Sequence, residues 1–96
     1  MSDLQEIIQS LVFAKQKNKL KSPQKKDLDT AVRVIFDDPA VGKMKFGDLS
    51  GLQVYKYTLT KQQVLIAYEV NGETLFLYAF GSHENFYRDL KKYLHG

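Results

Sequence analysis

Apolar positions in the first third of the chain fall three and four apart. Leu4, Ile7, Ile8, Leu11 and Val12 follow this spacing, and Ser2 with Gln5 is placed as a capping box. The pattern predicts a first helix that fades among lysines around Asn18. Ser22-Pro23 then restarts the chain, with serine as N-cap and proline at the first helical position. Leu28, Ala31, Val32, Ile35 and Phe36 give this second helix one apolar face. Asp37-Asp38-Pro39 stops it, because proline disfavours the helical conformation in the residue before it. The two helices are expected to form an antiparallel hairpin with a lysine-rich turn at its tip.

From Val54 onward the pattern changes to β-branched and aromatic runs. Val54–Leu59, Val64–Val70 and Thr74–Phe80 read as strands, with Thr60–Gln63 as one turn. Asn71-Gly72 signals a two-residue type I′ hairpin between the last two. Lys43–Phe46 adds a short edge strand. A final helix, Glu84–Leu94, carries Phe86, Leu90 and Tyr93 on one side. The expected fold is α+β, as one domain over residues 1–96. Its N-terminal helical hairpin packs on a 3–4-stranded antiparallel sheet and a C-terminal helix closes it.

Composition narrows the chemistry. An apolar content of 44% in 96 residues suits a folded chain with one core. No apolar run approaches the roughly 20 residues that span a bilayer. No basic-then-apolar leader opens the chain, so a cytoplasmic protein with no membrane partner is expected. There is no Cys, no Gly-rich phosphate loop and no helical His pair, so no metal or cofactor is expected. The net charge of +3 is unevenly spread. Lys15, Lys17, Lys19, Lys21, Lys25 and Lys26 share a stretch with no acidic residue. Such a field suits a polyanion, and it also suits a solvated helix end and turn.

One segment stands out for chemistry. Gly81-Ser82-His83-Glu84-Asn85-Phe86-Tyr87 follows an apolar strand, and His83 falls where strand gives way to helix. Imidazole both takes and gives a proton near neutral pH. Tyr87 lies about one helical turn later. Each has a plainer reading: His83 as a loop residue bonded to backbone, Tyr87 as part of a buried face with Phe86. Asp48 or Glu84 could orient His83 through a carboxylate hydrogen bond. His95 sits beside the C-terminus. Lys56, between Tyr55 and Tyr57 in a strand, must point away from the core.

The order of motifs resembles a known family. Asp38-Pro39-Ala40-Val41-Gly42 followed by Gly47-Asp48-Leu49-Ser50-Gly51-Leu52 is similar to the "DP-x-x-G" and "G-x-L-x-G-L" segments of RelE/ParE superfamily toxins. Tyr68-Glu69-Val70 fits that family's "I-Y-E-V" strand. Gly81-Ser82-His83 with Phe86 and Tyr87 looks like the C-terminal segment of its YafQ-type ribonuclease branch. Three features depart from the family pattern. Most members begin with a strand, RelE carries a central-strand arginine absent from Val64–Tyr68, and YafQ-type members have mid-sheet histidines.

The resemblance implies the toxin of a type II toxin–antitoxin pair, with a cognate antitoxin as partner. Its leading form is a ribosome-dependent, metal-independent mRNA endonuclease that acts on the ribosome and mRNA. His83 and Tyr87 would then serve catalysis, and Lys43, Lys45, Lys56, Lys61 and Arg88 would hold phosphate. The alternative is a ParE-like non-nuclease toxin that inhibits DNA gyrase. A third reading is a basic binding module that has lost toxicity.

Overall fold

In the computed structural model, which describes residues 3–45, 47, 51–59, 62–82, 86–88 and 92, the helical reading of the N-terminus fails first. The segment opens as strand β1 (Glu6–Gln9), and only then comes helix α1 (Leu11–Asn18). Helix α2 (Ser22–Asp37) and a 3₁₀ turn (Pro39–Val41) follow, then strands β2 (Lys43–Met44), β3 (Gln53–Leu59), β4 (Gln62–Asn71) and β5 (Thr74–Ser82). Residues 86–88 and 92 are helical. The remainder of the expected C-terminal helix, with His83, Glu84 and His95, lies outside the described residues. So do Asp48, Thr60 and Lys61.

The sheet has five strands in the order β1-β5-β4-β3-β2, and it is mixed rather than antiparallel. β1 runs parallel to β5, pairing Glu6 with Thr74 and Gln9 with Leu77. The other neighbours are antiparallel. The physical reason for the N-terminal correction is that backbone pairing far along the chain outcompetes local spacing. Ile7 and Ile8 imitate a helical stripe, but each remains more than two-fifths exposed while the β5 edge satisfies the main chain. The cap also moves: Ser10, not Ser2, caps α1, its Oγ accepting from the Phe13 N–H at 3.0 Å.

Two smaller shifts follow the same logic. α2 is capped from Lys21, whose N–H donates to Gln24 Oε1 at 3.1 Å, so Ser22 is already helical. The β4–β5 hairpin pairs Asn71 with Thr74, so its two loop residues are Gly72 and Glu73. Gly72 has φ +61°, a conformation that glycine adopts without steric cost.

α1 sits at the β5 edge beyond the end of β1. Ser10 Oγ donates to the Tyr78 carbonyl, and its N–H to the Leu77 carbonyl. Gln16 completes the edge. Its Nε2 donates to the Phe80 carbonyl at 2.6 Å, and its Oε1 accepts from the Phe80 N–H at 3.0 Å. A side-chain amide thus takes the place of a strand's peptide group.

One face of the sheet is closed. Phe13 of α1 and Leu28, Ala31 and Ile35 of α2 pack with Val64, Ile66, Tyr68, Leu75, Leu77 and Phe80. Phe13 meets Phe80 edge-on, with ring centroids 5.1 Å apart. The helical pair therefore covers one face as expected, and Lys17 bonded to Asp29 at 2.7 Å links α1 to α2. Among the described residues no helix is long and apolar enough to cross a membrane.

Candidate functional site

The opposite face is set by the alternation of β3, β4 and β5. Cross-strand register aligns Lys43, Val54, Ala67 and Ala79 in one row, and Lys56, Leu65 and Gly81 in the next. Ala67, Ala79 and Gly81 are small, so the middle of this face lies low. Phe86 fills part of it, almost fully buried beside Leu52, Val54, Leu65 and Ala79. A β-carbon added at Gly81 would stand 3.7 Å from the Phe86 ring, so the helical residues sit directly over this strand.

What remains open is a cleft of about 330 Å³. Val41, Val54 and Leu65 contribute apolar walls, and Lys43, Lys45, Tyr55, Lys56 and Tyr87 line it. The Lys45 ammonium lies 5.2 Å from the centre of the Tyr87 ring. That distance permits a cation–π contact. Tyr87 in turn meets Phe86 edge-on at 5.2 Å, so one side of the residue packs and the other borders the cleft. Tyr87 thus belongs both to the packed cluster around Phe86 and to the lining of the cleft.

The lysines need a rigid base, and β2 is only two residues long. The base is the 3₁₀ turn, locked by Tyr68 from the middle of β4. The Tyr68 hydroxyl donates to the Pro39 carbonyl at 2.5 Å and accepts from the Gly42 N–H at 2.9 Å. Gln53 Nε2 donates to the same Pro39 carbonyl at 2.9 Å. Asp38 caps the turn, its carboxylate accepting from the Ala40 N–H at 3.2 Å. Burial pushes the Tyr68 ionisation up, against the opposing effect of the Gly42 N–H, so the hydroxyl remains a donor. Gly42 is required by space rather than by backbone angle. A β-carbon there would fall 2.4 Å from the Tyr68 oxygen.

Five of the seven residues singled out for chemistry can therefore be located. Lys43, Lys45, Lys56 and Tyr87 converge on one cleft. Arg88 lies on the same helical turn as Tyr87, exposed and apart from the cleft lining. His83 and Lys61 lie outside the described residues. His83 follows Ser82, the last residue of β5, in sequence. Sequence reasoning missed Val41, Leu65 and the Tyr68–Gly42 lock. The alternation of β4 carried a signal for Leu65, whereas the lock joins residues far apart in the chain.

This frame, with a strand–helix–helix start, a locked DP-x-x-G turn and a basic cleft on the uncovered sheet face, matches a described family. Residues 7–91 fit the ParE-like toxin of type II bacterial toxin–antitoxin systems. The chain belongs to that family. Such a toxin is one half of a pair, so a cognate antitoxin is its partner. Among solved structures the toxin is similar in fold to the isolated E. coli RelE toxin, with 18% identity over 90% of this chain and 95% of that one, at a TM-score of 0.61. It is similar to the YoeB/ParE toxin of Agrobacterium tumefaciens, with 13% identity, coverage of 82% and 99%, and a TM-score of 0.62. YafQ of E. coli strain BL21(DE3) follows, with 19% identity, coverage of 84% and 96%, and a TM-score of 0.52. No match was found among curated protein sequences. The N-terminal strand that the sequence pattern did not predict is present as β1.

Proposed function

We propose that this toxin cleaves mRNA on the ribosome without a metal ion, through the Lys43–Lys45–Lys56–Tyr87 cleft. The observation that carries the reading is the convergence of three lysines and an aromatic ring on one shallow surface beside the strand that leads to His83. Phosphodiester cleavage by an internal 2′-hydroxyl forms a bond from that oxygen to phosphorus and expels the 5′-oxygen. A base takes the 2′ proton, an acid returns one to the leaving oxygen, and cations hold the charge that builds on the phosphate. His83 is the proton-transfer group of this proposal. Lys43, Lys45 and Lys56 hold the phosphate, with Lys61 and Arg88 as outer contacts. Tyr87 offers its ring to an unstacked base or its hydroxyl to a phosphate oxygen.

The antitoxin reading extends this. An edge strand with an unpaired outer side, β1, exposes Ile7 and Ile8. Ile7 also lines a groove of about 430 Å³ with Val32 and Phe36 of α2, flanked by Arg33 and by Asp29 and Asp37. Apolar antitoxin residues suit this groove and edge, and acidic ones suit the lysines of the cleft. Protection from proteolysis in the complex checks it: a groove that remains exposed overturns this placement.

Primer extension on a cell-free translation reaction tests the main proposal. Wild type is expected to produce ribosome-dependent breaks, and His83→Ala to reduce them at least about a hundredfold. Intact mRNA together with inhibited supercoiling would favour gyrase instead. The stretch Val64–Tyr68, with no arginine among its residues, is the observation that keeps gyrase as the second reading.

A further inference from the structure

The cleft leaves one strongly charged region unused: the α1–α2 connection. Lys15 and Lys17 lie in the last turn of α1, Lys19 caps its C-terminus, Lys21 caps the N-terminus of α2, and Lys25 and Lys26 follow. Cations at the end of α1 need no function, because the carbonyl end of a helix attracts them. Those at the start of α2 are different. The N–H end of a helix favours anions, yet α2 has no acidic residue in its first turn. Lys21 stands at the N-cap itself and Lys25 and Lys26 just beyond the first turn, a placement of charge that helix formation does not reward.

The charge is largely uncompensated. Among the described residues the tip has one ion pair, Lys17 with Asp29, whose carboxylate is 60% exposed. Asp27 instead lines a hollow with Tyr57, toward the sheet. The surface also lacks what a protein partner grips. Protein interfaces centre on apolar and aromatic anchors and are depleted in lysine. Among the described residues the exposed large apolar ones are Ile7, Ile8, Leu11, Val34, Val41 and Met44, none of them between Lys15 and Lys26. A many-point cationic surface without apolar anchors suits a phosphate backbone. Its place is also fixed. The Gln16 amide binds both backbone groups of Phe80, two residues from the end of β5. The tip is therefore held at the end of the sheet from which the chain runs on to His83.

We infer that the α1–α2 turn is a second RNA-docking surface, which grips the phosphate backbone of structured RNA without reading its sequence and holds the toxin while the cleft acts. This rests on the RNA-directed reading above. The test uses the full-length toxin, a fluorescein-labelled RNA duplex of arbitrary sequence and a salt series. It compares wild type with a tip variant (Lys19→Gln, Lys21→Gln, Lys25→Gln, Lys26→Gln) and a cleft variant (Lys43→Gln, Lys45→Gln, Lys56→Gln). The tip variant is expected to bind the duplex at least tenfold more weakly at 0.1 M salt. Its log–log salt slope should fall by about 3, from roughly 0.7 to 0.9 per lost phosphate contact. Its heat stability should change little, since Lys19 favours the end of α1 whereas Lys21 opposes the start of α2. The cleft variant should keep duplex binding and lose mRNA cleavage. An unchanged slope in the tip variant overturns the inference, as does polyglutamate competing as well as RNA, which would indicate an acidic protein partner. Tip-dependent duplex binding by a wild type that makes no mRNA breaks would remove the nuclease reading and keep the docking surface. Loss of cleavage in the cleft variant with tip-independent binding would do the reverse.

Discussion

The two faces of one sheet are built from alternate residues of the same strands and have opposite properties. In β3, Tyr55 and Tyr57 pack against the helix-covered cluster, Tyr55 also bordering the cleft, while Val54 and Lys56 turn to the cleft. In β4, Ile66 and Tyr68 are sealed in the larger cluster, and Leu65 and Ala67 belong to the smaller one with Phe86. Two helices cover the first face. The second keeps a lysine-rimmed opening because its central residues are small and its rim residues charged. The difference teaches how period-two alternation divides work within a ten-residue strand. One set of positions supplies stability, the other supplies a surface on which chemistry can sit.

The sharpest way to break the contrast is to empty the closed face. Leu28→Ala, at a fully buried position, is expected to cost about 2–5 kcal/mol in urea or thermal unfolding. Tyr68→Phe should cost less, about 1–3 kcal/mol, by leaving the Gly42 N–H without its partner. It also couples the faces. By loosening the turn that carries Lys43, it should on the nuclease reading slow mRNA cleavage more than its stability loss explains, which primer extension would register.

Alkaline pH acts on both faces, through Tyr57 on the closed one and Tyr78 on the other. Tyr57 is pushed up to about 12 by burial and then by Asp27. Tyr78 is pushed up to about 12 by its hydrogen bond to Glu69 and then by burial. Both pKa values are raised above the unfolded value of 10.0, so their contribution is fully present below pH 10 and is lost as pH rises through about 12. Urea midpoints should hold to about pH 10 and then decline. Tyr57→Phe should flatten part of that decline. At neutral pH it should be close to neutral or slightly stabilising, since the buried Tyr57 hydroxyl has no hydrogen-bond partner among the described residues. The smallest effect on folding belongs to the open face. Lys56→Gln should change stability by no more than about 0.5 kcal/mol. On the nuclease reading it should still slow mRNA cleavage severalfold, which primer extension would measure.

Much of this contrast was legible before any coordinates. Lys56 between two tyrosines had to face away from the core, and it does. The edge strand with Lys43, the three long strands and the second helix were readable because their apolar periods are local. The first strand was not. Ile7 and Ile8 sit at helical distances from Leu4, Leu11 and Val12, while what makes them a strand is β5, whose partner residues lie 68 positions away. The Tyr68 lock was hidden for the same reason: a hydroxyl in an otherwise apolar strand gives no sign of the turn 26 and 29 residues earlier that it binds. Convergence of Lys45 and Tyr87 was likewise invisible, although each was picked out singly.

The Gln16 amide on β5 has a consequence for the molecule in a crowd. Without it, Tyr78 to Phe80 would present open peptide groups beside an aromatic run, a template for stacking copies edge to edge. Ser10 and Gln16 occupy those groups from within the chain, so on this side of the sheet strand addition is left only the four residues of β1. Two polar side chains thereby keep the molecule from pairing with its own copies along the aromatic end of β5.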